Sequence, residues 1–193
     1  MIIEGRPFVR AAAVLCLLSV AGRPAQLAES VLREGEKVVQ SLARIEEESL
    51  RRKSGAPRRA EFSESEFNSY IAYRIEREKE EIMKELKLRL FADNRIEGQV
   101  LFDLSGQHLP AGLKPRMHLN FEALFRTENG RIKVDLQKLF LEDQSVPIPL
   151  FDAIIAFAAK IGKSDPGSFK NWYELPWGLK NLRTEPGRVL VYY

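Results

Sequence analysis

The sequence predicts an α+β domain in which two helices cover the apolar face of an antiparallel sheet. Three observations carry this prediction. A well-capped amphipathic helix begins near residue 63, four segments of period-two hydrophobicity follow between residues 86 and 136, and a second, strongly apolar helical segment covers residues 150–161. The chain has 193 residues, with 45% hydrophobic and 30% charged residues, values typical of a globular domain with a substantial core.

The first of these helices has a complete start signal. Ser63 is placed to cap the first turn, and Glu66 can bond back to the Ser63 amide as a capping box. Phe62 and Phe67 flank the box as a hydrophobic staple. We expect the helix to run to about residue 83, with one apolar face formed by Phe67, Tyr70, Ile71 and Ile75.

The four period-two segments predict an antiparallel meander with one apolar and one polar face. The turns are expected at Asp93-Asn94, in the Gly- and Pro-rich residues 106–115, and at Asn129-Gly130, which is a strong hairpin signal. The apolar positions of the four strands are Leu86, Leu88 and Leu90; Ile96, Gly98, Val100, Phe102 and Leu104; Met117, Leu119, Phe121, Ala123 and Phe125; and Ile132, Val134 and Leu136.

The late helix opens at Pro147-Ile148-Pro149 and ends at Gly162. Residues 150–161 carry only Asp152 and Lys160 as charges, so most sides of the helix need a cover of protein, lipid or an oligomer partner. A C-terminal hairpin with a turn at residues 185–187 completes the sheet. Before it, Trp172 and Trp177 either pack under a loop or line the mouth of an apolar groove.

The N-terminal residues resemble an export signal. Arg6 and Arg10 precede an uncharged apolar run of about a dozen residues, too short for a membrane span, that ends in small residues. We predict a signal peptide over residues 1–21, with an uncleaved anchor or a cytoplasmic helix as alternatives. Its removal would take away Glu4, Arg6 and Arg10, changing the formal charge from +3 to +2, and would remove Cys16. This small charge does not suggest a nucleic-acid partner.

Residues 22–59 are predicted to contain a helix over residues 26–50 and a basic linker. The helix either packs on the domain or binds a partner or membrane surface. The linker could attract an anionic lipid surface, at about 1 kcal/mol per cation, or form a solvated loop. Its five cations are Arg51, Arg52, Lys53, Arg58 and Arg59. The main domain is expected over residues 60–193.

No catalytic or cofactor motif is found. His108 and His118 lack partners at metal-ligand spacing, so we expect no metal site. Residues 162–164 match the end of a phosphate-binding loop, but Phe157 stands where its first glycine belongs. The sequence has no paired carboxylates in an apolar setting and does not predict an enzyme.

Residues 62–71, Phe-Ser-Glu-Ser-Glu-Phe-Asn-Ser-Tyr-Ile, resemble the helix start of short exported bacterial proteins with the TULIP-like (tubular lipid-binding) fold. The strands of residues 86–104, the Pro-containing entry to the late helix and the Leu-Pro-Trp-Gly-Leu segment at 175–179 are similar too. The resemblance covers about residues 60–193 and includes the LmeA-like and YceB-like single-domain members, which are close to this size. It implies a strongly curved sheet that wraps a long helix, and phospholipid binding at the cell envelope.

The expected function is therefore periplasmic or extracytoplasmic binding of a phospholipid or another long apolar ligand between helix and sheet. A non-catalytic structural or interaction module with a closed core is the alternative. The predicted lining residues are Phe67, Ile71 and Ile75, then Phe102, Leu119 and Phe121, then Ile154, Phe157 and Ile161, with Trp172 and Trp177 at the mouth.

Overall fold

The computed structural model describes residues 29–51, 56–79, 82–105, 114–142, 144–147 and 171–193. Within them the fold is α+β, with two helices and two antiparallel sheets. The helices are α1 (Glu29–Arg51) and α2 (Glu64–Glu78). The strands are β1 (Arg59–Ser63), β2 (Met83–Leu90), β3 (Arg95–Asp103), β4 (Arg116–Glu128), β5 (Arg131–Leu141), β6 (Gln144–Ser145), β7 (Tyr173–Glu174), β8 (Asn181–Glu185) and β9 (Arg188–Tyr192).

The predicted signal peptide, the late apolar helix and part of the basic linker lie outside the described residues. The predicted site residues in these parts of the chain are Arg52, Lys53, Ile154, Phe157 and Ile161.

The meander is confirmed as the sheet β2–β3–β4–β5, with β6 and β7 added along the outer side of β5. Both predicted tight turns are present. Asp93 and Asn94 adopt left-handed backbone angles, and so do Asn129 and Gly130. The sheet is uncurled, so the strong curvature implied by the family resemblance is not seen.

Strand β5 continues beyond its predicted end at Leu136 because a bulge corrects its alternation. Ala123 pairs with Leu136 while Glu122 pairs with Lys138, so Gln137 is the extra residue. Leu139 and Leu141 therefore lie on the same apolar face as Leu136, although strict alternation along the strand would place them on the polar face.

The C-terminal hairpin does not extend the meander, which corrects the predicted sheet. Residues 59–63 were expected to be linker and helix entry, but they form β1, which pairs with β9 in a second sheet of order β1–β9–β8. One face of this small sheet, with Phe62, Val189 and Val191, joins the same core as the large sheet.

Helix α2 starts as predicted and ends earlier. The Ser63 hydroxyl accepts a bond from the Glu66 amide at 3.2 Å, and the Glu66 carboxylate accepts one from the Ser63 amide at 2.7 Å. The expected end near residue 83 was wrong, because Lys79 takes a left-handed conformation and its amide bonds back to the last turn. Met83 already belongs to β2.

Two side chains of α2 hydrogen-bond the backbone along the outer edge of β2, where no strand of the described chain pairs with it. The Asn68 carboxamide donates to the Leu88 carbonyl and accepts from the Leu88 amide, both at 2.8 Å. The Glu64 carboxylate accepts from the Leu90 amide at 2.7 Å. Since Glu64 and Asn68 are four residues apart, they share one helix face and can satisfy alternate positions of one strand edge.

Helix α1 packs on α2, as its periodicity predicted, with Val38, Leu42 and Ile45 buried. The helices approach closely at Gly35, where an added Cβ would lie 2.5 Å from the Cβ of Tyr73 and closer still to the Ser69 carbonyl oxygen. Beside this point the Ser69 hydroxyl donates to the Glu34 carboxylate at 2.6 Å.

We predict that Asn68→Ala lowers the free energy of unfolding by about 1–3 kcal/mol, because the backbone groups of Leu88 lose their partner. Urea denaturation measures the change. Ser65→Ala, at an exposed position of the same helix, is the control and should differ little from wild type. An equally small effect of Asn68→Ala would show that solvent satisfies this edge.

We predict that Gly35→Ala destabilises the protein although alanine is the better helix former. Helix propensity alone would raise the stability by about 1 kcal/mol, so the sign of the change reports the helix contact. Urea denaturation of this variant should show a loss, whereas Gln40→Ala on the exposed side of α1 should be near neutral. A gain in stability with Gly35→Ala would contradict the close packing.

Candidate functional site

The apolar face of the large sheet is the candidate site that the sequence predicted. Its described lining residues all belong to one hydrophobic core beneath the helices. Ile75, Leu119 and Phe121 are buried, with exposures of 3–7%, whereas Phe67, Ile71 and Phe102 are partly buried. The structure brings these six side chains together in a packed core.

Gly98 shows how closely this core is packed. It pairs with Phe121 on β4, and the Phe121 ring covers it. An added Cβ at Gly98 would be 2.9 Å from one ring carbon of Phe121 and closer to two others. The ring therefore fills the space that the missing side chain of Gly98 leaves.

Burial decreases toward β5. The apolar positions of β2 and most of those of β3 and β4 are buried, but four apolar side chains of β5 remain partly exposed. We call these the β5 strip: Ile132, Val134, Leu136 and Leu141. Val146 and Leu175 are partly buried against the same core.

The outer edge of β5 is paired only near its ends among the described residues. β7 pairs with Arg131 and Ile132, and β6 pairs with Phe140 and Leu141. The β5 strip therefore lies beside a strand edge on which the described chain places no further strand.

The two tryptophans have different environments. Trp177 packs against the core, whereas Trp172 is 36% exposed. Burial raises the pKa of the Tyr70 phenol, although the positive charge of Arg74 opposes that rise. Arg74 in turn forms an ion pair with Glu78 on the same helix.

Asp103 is the buried carboxylate of the large sheet. Its oxygens accept from the Ser105 amide at 3.0 Å and from the Arg116 guanidinium at 2.9 Å. Hydrogen bonding from the Ser105 side chain holds the pKa of Asp103 below its ordinary value, against the opposing effect of burial, and the Ser105 amide and the bond and charge of Arg116 lower it further. These contacts form a structural ion pair between the last residue of β3 and the first residue of β4.

Potential metal ligands do not cluster among the described residues: no group of three or more His, Cys, Asp or Glu side chains is present there. His118 is exposed on the polar face, with its Nδ1 atom 3.9 Å from the Glu142 carboxylate.

The described part of the basic linker is partly neutralised by α1. Arg51 pairs with Glu47 at 2.5 Å, and Arg58 pairs with Glu48 at 2.7 Å. Arg59 is exposed on β1. Neither described helix combines the length and apolar character needed to cross a membrane.

Comparisons with protein-family models, with curated proteins and with solved structures gave no match to this chain.

We predict that Asp103→Asn lowers the free energy of unfolding at pH 7 by about 1–3 kcal/mol, because charge-assisted bonds to Ser105 and Arg116 are lost. A carboxyl with a lowered folded-state pKa stabilises the fold above its unfolded pKa. The difference between variant and wild type should therefore shrink below about pH 4, as wild-type Asp103 becomes protonated.

Urea denaturation from about pH 2 to about pH 7 tests this prediction, because the range includes the ordinary aspartate pKa of about 3.9 and the lower values expected in the folded state. Glu36→Gln, at an exposed position of α1, is the charge-matched control and should show no such dependence. A stability difference that stays constant over this range would contradict the role given to the Asp103 charge.

Proposed function

We propose that this chain binds a phospholipid or another long apolar molecule along the β5 strip. The observation that carries the proposal is the gradient of burial across the apolar face. The part under α2 is closed by protein, while the β5 strip keeps apolar area accessible beside a partly unpaired strand edge. A one-sided apolar surface of this kind favours a ligand with long hydrocarbon chains.

This proposal moves the ligand away from the α2 face. Phe67, Ile71 and Ile75 already pack in the same core as Leu119 and Phe121. A ligand between them would have to open packed side chains, at a cost similar to that of a core cavity. A ligand along the β5 strip leaves those contacts intact.

The apolar residues 150–161 supply the second wall in this proposal. They follow β6 closely in the sequence and carry only two charges, so the helix predicted for them would need a cover on most sides. Ile154, Phe157 and Ile161 are the proposed contacts, and Trp172 is exposed close to the start of β7, which pairs with β5.

Export to the periplasm or another extracytoplasmic space, and kinship with the TULIP-like proteins, belong to the same proposal. The signal-like residues 1–21 and the motifs of residues 62–71 and 175–179 support it. The ligand would be held by burial of apolar area, which contributes about 25 cal/mol per Å² and needs few polar contacts.

A structural module with a closed core is the second candidate. All six described lining residues pack in one hydrophobic core, three of them buried and three partly buried, which favours it. The two candidates differ in one measurable property, since only the first predicts a bound apolar molecule.

The test is lipid extraction and native mass spectrometry of the purified protein, followed by titration with a fluorescent long-chain fatty acid. Leu136→Gln should weaken binding of this probe about tenfold, because it replaces an apolar contact of leucine size with an amide. Leu124→Gln is the matched control, since Leu124 is 37% exposed and its place in the alternation puts it on the polar face of the sheet.

Both variants should retain the wild-type circular dichroism spectrum. Absence of lipid and of probe binding in the wild-type protein would reject the proposal and leave the structural module. Equal binding by wild type and Leu136→Gln would place the ligand elsewhere.

A further inference from the structure

A concavity of about 580 Å³ lies where the small sheet meets the β4–β5 hairpin. Its size is that of a small-molecule site. Apolar atoms form most of its lining surface, but five of its seven lining residues have polar or charged side chains, which sets it apart from the apolar face. The lining residues used below are Asn129, Lys180, Asn181, Arg183 and Tyr192.

The concavity lies on the outer face of the small sheet. Tyr192 pairs with Arg59 on one side and with Asn181 on the other, so these three residues share one face. Phe62 and Val189 belong to the opposite face, which is buried in the core. The concavity is therefore a different place from the β5 strip.

Cations outnumber carboxylates among the described residues of this region. Lys180 and Arg183 are exposed, and neither has an ion pair among the described residues. Arg188 binds both carboxylates of the small sheet, Glu61 and Glu185, so these three groups together carry one negative charge, fewer than the three positive charges of Arg59, Lys180 and Arg183. Arg59, in register with Tyr192, likewise has no carboxylate partner within the described chain.

The floor of the concavity is held in place by backbone bonds. The Lys180 carbonyl accepts from the Gly130 amide at 3.2 Å, and the Lys180 amide donates to the Tyr192 carbonyl at 2.7 Å. These bonds tie the hairpin to the small sheet. The backbone of Lys180 is therefore held by neighbouring strands, and Arg183 lies in β8, which pairs with β9.

Asn181 adds neutral donors. The Thr127 hydroxyl bonds the Oδ1 atom of Asn181, which leaves the Nδ2 hydrogens of that carboxamide for a ligand. Asn129, at the hairpin turn, also lines the concavity.

We propose that this concavity binds a phosphate group carried by a small organic molecule. Arg183 can contact two phosphate oxygens through its planar fork, Lys180 supplies a second charge, and Asn181 donates a neutral hydrogen bond. The volume exceeds that of a bare phosphate and leaves room for its substituent. A phospholipid headgroup and a soluble phosphate ester share this chemistry, and the site does not depend on the apolar ligand proposed above.

The test uses the full chain labelled with ¹⁵N and titrated with inorganic phosphate, beside a chloride titration at matched ionic strength. Phosphate should cause saturable shifts in the amide signals of Gly130, Asn181 and Arg183. The double variant Lys180→Gln/Arg183→Gln should bind phosphate at least about tenfold more weakly, since two charged donors are lost.

The control is Lys37→Gln/Arg44→Gln, which removes two exposed cations from α1 and should bind as wild type does. Phosphate shifts no larger than those with chloride would overturn the proposal, and so would wild-type affinity in the Lys180/Arg183 variant.

A second arm identifies the source of the phosphate. Vesicles of phosphatidylcholine with an equal part of phosphatidylglycerol are pelleted with each protein, and vesicles of phosphatidylcholine alone serve as reference. Pelleting that depends on Lys180 and Arg183 supports a lipid headgroup. Phosphate binding without pelleting supports a soluble ester at the same site.

Discussion

The contact between α2 and the outer edge of β2 is the constraint on which the rest of the fold depends. Asn68 and Glu64 satisfy the edge groups of Leu88 and Leu90, so the helix lies in one position along the sheet. That position directs Phe67 and Ile71 into the core. It also covers an edge that would otherwise offer free backbone groups to another chain.

The opposite edge of the large sheet, at β5, is arranged differently, and both proposed sites lie near it. The bulge at Gln137 keeps the apolar residues of β5 on one face, while short partners cover only its ends. The β4–β5 hairpin then supports the small sheet through Gly130 and Lys180. One hairpin thus borders an apolar strip on its face and a cationic concavity at its tip.

Local patterns determined the parts of the fold that depend on neighbouring residues. The capping box, the turns at Asp93-Asn94 and Asn129-Gly130 and the four alternating strands were all predicted, because their causes lie within a few residues. The end of α2 was missed, since its charged last turns keep a helical composition and only the left-handed Lys79 stops them. Strand β1 was missed because its alternating residues lie between the basic linker and the capping box, and because its partner β9 is at the far end of the chain.

The tertiary structure alone decided which segments meet. Asn68 is as polar as any exposed helix residue, and only its place beside β2 gives it a structural role. The sequence likewise contains Lys180 and Arg183 without indicating that Arg188 occupies the nearby carboxylates. The sequence by itself determined an α+β chain with a one-faced antiparallel sheet. The second sheet, the filled core beneath α2 and the cationic concavity came from pairings between residues far apart in the chain, which no local pattern encodes.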